Sequence, residues 1–170
     1  MTTLASEIKA SIQWLFQEPL ALTTVGDASQ LVYDDTLASG TAADEADLIW
    51  SDQRTLAAGA NDDLDLTALA RALFGSTVTI DLARVKAILI VHTSTTAGEK
   101  LQLDSSVTNG FTGPFAGSAT SQLEIGADSA ALLASKKDGW ATASNNKVLR
   151  IHNAGAHSAT YRIVILGTSA

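Results

Sequence analysis

The segment RVKAILIVHT, residues 84–93, has the strongest strand pattern in the sequence, and it predicts a β-strand that is apolar on both faces. In an extended chain its apolar side chains divide between two faces, with Val85, Ala87, Leu89 and Val91 on one and Ile88 and Ile90 on the other. A strand in a two-sheet sandwich needs only one apolar face. The second face therefore has to be covered by long loops, by a short helix or by another subunit.

Alternation of apolar and polar residues recurs on both sides of this segment and predicts further strands. The clearest of them are residues 6–16, 46–57, 99–104, 147–153 and 160–166. Shorter or weaker candidates are residues 20–25, 63–66, 77–81, 123–125, 130–135 and 140–143. Gly, Ser, Thr and Asp dominate residues 26–44 and 105–121, which are predicted to be long loops. Leu66, Leu69, Ala70 and Leu73 have helical spacing, so residues 67–74 are predicted to form the one helix, ending at Gly75.

Strands joined by short turns, with a single helix, predict an all-β protein with an antiparallel β-sandwich. Among sandwiches we favour the eight-stranded single jelly roll, and an immunoglobulin-like topology is the alternative. A chain of 170 residues fits one domain, so residues 1–170 are expected to form a single β-sandwich domain.

Composition and charge narrow the classes of partner. Apolar residues make up 46% of the chain, which excludes a disordered protein, and the absence of Cys excludes disulfides and thiolate metal sites. The net charge is −7 and the basic residues are scattered, so direct binding of nucleic acid is not expected. Residues 1–12 have no cationic leader or apolar core, and no apolar run approaches the ~20 residues of a membrane span. Neither Sec-dependent secretion nor membrane insertion is expected.

No arrangement of residues in the sequence indicates catalysis, and we expect no enzyme activity and no cofactor. His92 and His152 offer two nitrogens for a cupin-like metal site if their strands meet, but no third ligand is visible. Asp62, Asp63 and Asp65 lack the D-x-D-x-D-G spacing and distal Glu of a calcium loop, and a solvated turn is the simpler interpretation.

Three tryptophans raise the possibility of a sugar-stacking platform, as in carbohydrate-binding or lectin-like modules. Trp14 is in register with Ile8 and Ile12 and is therefore predicted to lie in the core. Trp50 and Trp140 are the candidates for exposure. A monomeric sandwich that binds carbohydrate is accordingly the alternative function.

The order of three segments resembles that of small phage and virus-like structural proteins, including uncharacterised bacterial relatives. These segments are ADLIWSDQRTLAAGANDDLDL (46–66), FGSTVTIDLARVKAILIVHTSTTAGEKLQL (74–103) and KVLRIHNAGAHSATYRIVILGTSA (147–170). The resemblance implies a single jelly-roll, capsid-like protein that builds or decorates a virion and performs no catalysis. It differs from the coat proteins of icosahedral RNA viruses in its N-terminal segment, residues 1–11, which is short and has Lys9 as its only base.

The leading hypothesis is a structural protein that assembles with copies of itself, possibly as an icosahedral shell, in a virion or a cytoplasmic assembly. The two-sided strands suggest where copies meet, because exposed apolar patches mark association surfaces. The residues predicted to be buried between subunits are Trp50, Ile88, Ile90, Val164 and Leu166.

Overall fold

The computed structural model describes residues 3–73 and 75–170 and shows an all-β protein. Within these residues fourteen strands are assigned, whereas the favoured jelly roll has eight. The strands are β1 (Ser6–Pro19), β2 (Thr24–Ser39), β3 (Glu45–Ala46), β4 (Leu48–Leu56), β5 (Asn61–Asp65), β6 (Leu69–Leu73), β7 (Ser76–Ile80), β8 (Arg84–His92), β9 (Lys100–Asp104), β10 (Gln122–Gly126), β11 (Ser129–Ala134), β12 (Trp140–Ala141), β13 (Val148–Asn153) and β14 (Ala159–Thr168). Within the described residues, no helix is long and apolar enough to cross a membrane.

Two antiparallel sheets enclose the core, as the sequence predicted. One has the order β10-β9-β13-β5, and the other has the order β11-β8-β14-β4, with β12 also paired to β8. The eight strands of these two four-stranded paths pair in a nested order along the chain, the first with the last, the second with the second-to-last, and so on. The pairs are β4 with β14, β5 with β13, β8 with β11, and β9 with β10. Pairing of β14 with β8 and of β13 with β9 then joins these ladders side by side. The eight strands therefore form one long hairpin that is folded over on itself.

The core lies between the facing sides of the two sheets. Ile88 and Ile90 of β8 and Ile163 and Ile165 of β14 point into it from the five-stranded sheet, and all four are at most 1% exposed. The other sheet contributes fully buried Leu101, Leu103, Leu149 and Ile151. Burial of each such side chain stabilises the fold by roughly 1.5–3 kcal/mol before conformational entropy is counted.

The predicted helix at residues 67–74 is wrong. Residues 69–73 form β6, which pairs with β7 in a two-stranded ladder running from Leu69↔Ile80 to Leu73↔Ser76. Gly75 has φ 83°, a left-handed conformation suited to a tight turn. The β-branched residues of β7 offer a strand partner, and cross-strand pairing overrides the weak helical spacing. Phe74, the last residue of the predicted helix, lies outside the described residues. In the part of the chain that the structure describes, the one helical element is a 3₁₀ turn, Gly113–Phe115.

The predicted loop at residues 26–44 is also largely wrong, since β2 runs from Thr24 to Ser39. Its Asp, Ser and Gly residues hide the strand pattern, but β1 supplies a hydrogen-bonding partner from Thr24 to Leu37, and β3 pairs with the last two residues. The second predicted loop, residues 105–121, contains no strand and includes the 3₁₀ turn.

Candidate assembly surface

A long β-hairpin extends from the sandwich, and we call it the arm (residues 6–39). Its two strands pair continuously from Ser6↔Leu37 to Pro19↔Thr24, and at its tip the amide of Leu20 donates to the carbonyl of Thr23 at 2.7 Å. At ~3.4 Å per residue, fourteen paired residues span roughly 45 Å. Beyond its base the arm is almost entirely exposed.

The base of the arm is fixed to the sandwich by a small apolar cluster. Ile8 and Leu37 pack with Ala46, Ala87 and Leu166, and each of the five is at most 6% exposed. Ala87 and Leu166 belong to the outer face of the five-stranded sheet. The arm thus covers one end of that face and leaves the remainder open.

Ion pairs reinforce the base. The Lys9 ammonium lies 2.7 Å from a carboxylate oxygen of Asp34, its direct cross-strand partner, and 3.2 Å from Glu7. These hydrogen bonds raise the pKa of Lys9, and the bond from Lys9 lowers the pKa of Asp34. Lys136 donates to Asp35, which raises the pKa of Lys136 and links the arm to the loop after β11.

The two sides of the arm carry different residues. Directly paired residues of an antiparallel ladder point to the same side, so the register shows which residues share each side. One side carries the apolar strip, defined as Ile12, Trp14, Phe16, Val25, Leu31 and Tyr33. Ile12 is 70% exposed and Phe16 is 68% exposed. The opposite side is mixed: it has Gln13, Gln17 and Gln30 together with the exposed Leu15 and Val32. Trp14 spans the ladder by donating from its indole nitrogen to Asp27 at 3.2 Å.

A concave apolar site lies in the angle between the arm and the sandwich, and we call it the corner groove. Its volume is about 300 Å³. Its apolar lining comes from the outer face of the five-stranded sheet and from the arm base: Ile8, Ile49, Ala87, Leu89, Leu132, Val164 and Leu166. Ser6, Glu7 and Lys9 form the wall on the arm side.

The five residues predicted to lie between subunits separate into two groups. Trp50, Ile88 and Ile90 are at most 1% exposed inside the sandwich, so assigning them to a surface was wrong. Val164 and Leu166 do lie on the outer face and line the corner groove, although Leu166 is already covered by the arm base. The alternation of β8 was recognised, but over residues 87–90 the faces were reversed: Leu89, assigned to the core, points outward. Val85, assigned to the same face as Leu89, is fully buried in the core, because the register of β8 with β14 shifts between Leu166 and Gly167.

The tryptophans also differ from their predicted positions. Trp14, predicted to be core, is exposed on the arm. Trp50 is buried, its indole nitrogen donates to the Ala70 carbonyl at 3.0 Å, and the Arg54 guanidinium lies 5.5 Å from its ring centroid. Trp140 is partly buried against the core. The structure therefore does not bring Trp50 and Trp140 onto a flat exposed platform. Sequence reasoning missed the exposed aromatics of the arm, although their period-two spacing was visible.

The histidines do not converge. His92 is buried on β8 and its Nδ1 lies 3.0 Å from the Gly126 carbonyl oxygen. His152 belongs to the other sheet, where its Nδ1 lies 2.7 Å from Asn61 Oδ1. His157 contacts the buried carboxylate of Glu99 at 2.7 Å, and this hydrogen bond lowers the pKa of Glu99. Across residues 3–73 and 75–170, no three His, Cys, Asp or Glu side chains are grouped to hold a metal ion.

The acidic residues considered for calcium each have a different protein partner. Asp63 accepts two hydrogen bonds from Arg150, at 2.7 and 2.8 Å, and they lower its pKa. Burial acts to raise the pKa of Asp65, but hydrogen bonds from Lys147 and Thr67 lower it overall. Asp62 points toward the opposite sheet.

Asp62 links the two sheets. It accepts hydrogen bonds from Arg54 at 2.8 and 3.0 Å and from the hydroxyl of buried Tyr161. Burial and the neighbouring Asp62 carboxylate raise the pKa of Tyr161, which keeps its hydroxyl protonated as a donor. Arg54 also donates from its Nε to Asp52 at 2.9 Å, so the cluster joins β5 to both β4 and β14.

Replacing Asp62 with Ala is expected to lower the free energy of unfolding by about 2 kcal/mol, because the Tyr161 hydroxyl loses its acceptor inside the protein. Asp63→Ala is the matched control: the Asp63 side chain is 42% exposed, compared with 13% for Asp62, and its loss is expected to cost less than about 1 kcal/mol. Urea denaturation followed by tryptophan fluorescence measures both values. Equal losses for the two variants would contradict a special role for Asp62.

Comparison of the chain with protein-family models, with curated proteins and with solved structures found no significant match.

Proposed function

We propose that this protein is a non-enzymatic structural building block that assembles with copies of itself into a virion- or capsid-like shell. The observation that carries the proposal is the arm, which leaves a row of large apolar side chains in water. Monomeric proteins rarely expose contiguous apolar patches of this size unless the patch is an association site. An isolated two-stranded ribbon is also only marginally stable in water, so the arm itself benefits from a partner.

The exposed area is sufficient for a stable interface. The six side chains of the apolar strip are between 42% and 70% exposed. Together they expose on the order of 750 Å², close to the roughly 800 Å² per partner of a standard protein interface. At ~25 cal/mol per Å², their burial supplies about 19 kcal/mol of gross driving force before the costs of association.

The topology supports the jelly-roll form of the sandwich within this proposal. A jelly roll arises when a long antiparallel hairpin folds over into two four-stranded sheets with Greek-key connections. The nested pairs β4·β14, β5·β13, β8·β11 and β9·β10 fit this description. The small virus-like structural proteins that the sequence resembles are of the same type, and a virion or a cytoplasmic assembly is the corresponding location.

Sedimentation velocity and electron microscopy of the full chain test the proposal. We expect species many times heavier than the 17.6 kDa monomer, and particles of defined shape. Because the net charge is −7, we also expect the 260/280 nm absorbance ratio of the particles to be that of protein alone. A single monomeric species at concentrations up to about 100 μM would overturn the proposal, because an interface of this size has micromolar affinity or better.

A further inference from the structure

We infer that the corner groove of one copy receives the arm of a second copy, with Trp14 and Phe16 of the incoming arm against Leu89 and Val164. This inference rests on the proposed self-assembly and names the surfaces that meet. It assigns one occupant to a groove that a single chain leaves open.

The shapes of the two surfaces are complementary. The groove is concave, about 300 Å³ in volume, and floored by aliphatic side chains. Trp14 and Phe16 of the apolar strip are 42% and 68% exposed, and aromatic side chains are of the size that such a groove accepts. Packing of exposed aromatics into a preformed apolar pocket is the usual form of an interface hot spot.

The groove cannot be filled by the arm of its own chain. Ile8 lies at the groove, whereas Phe16 is eight residues further along β1, which places it roughly 27 Å away in an extended strand. The continuous ladder with β2 keeps the strand extended over that length. The apolar strip therefore has to find its cover on another molecule.

Charge supports a second copy as the occupant. Arg162 is exposed two residues before Val164 on β14, and its Nε bonds only to the amide oxygen of Gln53, at 3.0 Å. Glu18 is exposed two residues beyond Phe16 on β1. Neither residue forms an ion pair within the described part of the chain. Seating Phe16 near Val164 brings Glu18 of the incoming arm toward Arg162.

Exchange of arms between copies is also compatible with a closed assembly, because arms and grooves are present in equal numbers. Each copy has one arm to give and one groove to fill, so a reciprocal pair or a closed ring leaves neither surface exposed. The incoming arm additionally meets the base of the resident arm, where Ile8 is part of the groove wall. The interface is therefore continuous from the sheet to the arm.

Disulfide trapping tests the contact directly, because the natural chain has no Cys. Phe16→Cys protein labelled with ¹⁵N is mixed with unlabelled Leu89→Cys protein, assembled and mildly oxidised, and the disulfide peptides are identified by mass spectrometry. We expect a 16–89 disulfide that joins labelled to unlabelled chains. Gln13→Cys, on the opposite face of the arm, is the control and is expected to give at least ten-fold less of the corresponding 13–89 disulfide.

Charge reversal provides a second, independent measurement. Glu18→Arg and Arg162→Glu are each expected to weaken association about five-fold, and the double variant is expected to recover most of that loss. If the single-Cys variants assemble as the natural protein does but give only 16–16 disulfides, or if the double reversal restores nothing, arm exchange is overturned while self-assembly stands. A natural protein that remains monomeric overturns both.

Discussion

The double substitution Ile88→Asp and Ile90→Asp is expected to abolish folding. Both side chains are fully buried between the sheets, at the centre of the cluster formed with Ile163 and Ile165. Each change removes an aliphatic group worth about 2–5 kcal/mol and places a carboxylate among the apolar side chains of the core, where burial of the charge costs further free energy. Domains of this kind have only about 5–15 kcal/mol of stability in total, so two such changes exceed it.

Circular dichroism and the fluorescence of buried Trp50 report the result, and we expect an unfolded or aggregated product. Leu89→Asp is the matched control, since Leu89 is the intervening residue of the same strand and is 37% exposed on the outer face. We expect it to fold with nearly normal thermal stability and to associate more weakly. A folded, soluble double variant would contradict the orientation of β8, and would restore the prediction from sequence that these two residues face another subunit.

The second large effect is expected in the arm. Replacing Trp14 and Phe16 together with Asp should reduce the association constant by about 1,000-fold or more, because aromatic hot-spot residues each contribute about 2 kcal/mol or more. The sandwich should stay folded, since neither side chain contacts its core. Sedimentation velocity over a concentration series measures the association, and thermal unfolding checks the fold.

A charge-matched variant separates the role of the strip from that of added charge. Gln13→Asp together with Gln17→Asp introduces the same two carboxylates on the opposite side of the same strand. We expect this control to assemble within a few-fold of the natural protein. Loss of assembly in both variants would indicate that net charge or the integrity of the hairpin governs association, and would count against the strip as the contact surface.

Local patterns determined much of the fold. Residues 6–16, 84–93, 147–153 and 160–166 were predicted as strands, and the structure has β1, β8, β13 and β14 there. Alternation survives in such segments because one side of each strand packs and the other does not. The antiparallel sandwich followed from the short connections between them. The absence of Cys was equally decisive, since it removed whole classes of site from consideration.

Strand pairing determined the secondary structure of two segments for which the local residue pattern was misleading. Residues 67–73 have helical spacing, yet the neighbouring strand β7 draws Leu69–Leu73 into a ladder. The polar residues of β2 predict a loop from sequence, but in the structure they form a strand because they pair with β1. Backbone hydrogen bonds across a ladder stabilise a strand whatever its side chains, and they join residues distant in sequence.

The tertiary structure was also needed to tell which face of each strand points into the core. When both faces of a strand are apolar, period two gives the two sets but not which set is inside, and so Ile88 and Ile90 were placed outward and Leu89 inward. Trp14 was placed in the core for the same reason, because alternation shows that Ile8, Ile12 and Trp14 share a face but not where the sandwich ends. Its sequence therefore determined the strands of this protein and the residues that share each face, while the packing of one sheet on the other decided which apolar residues became core and which were left on the arm for a partner.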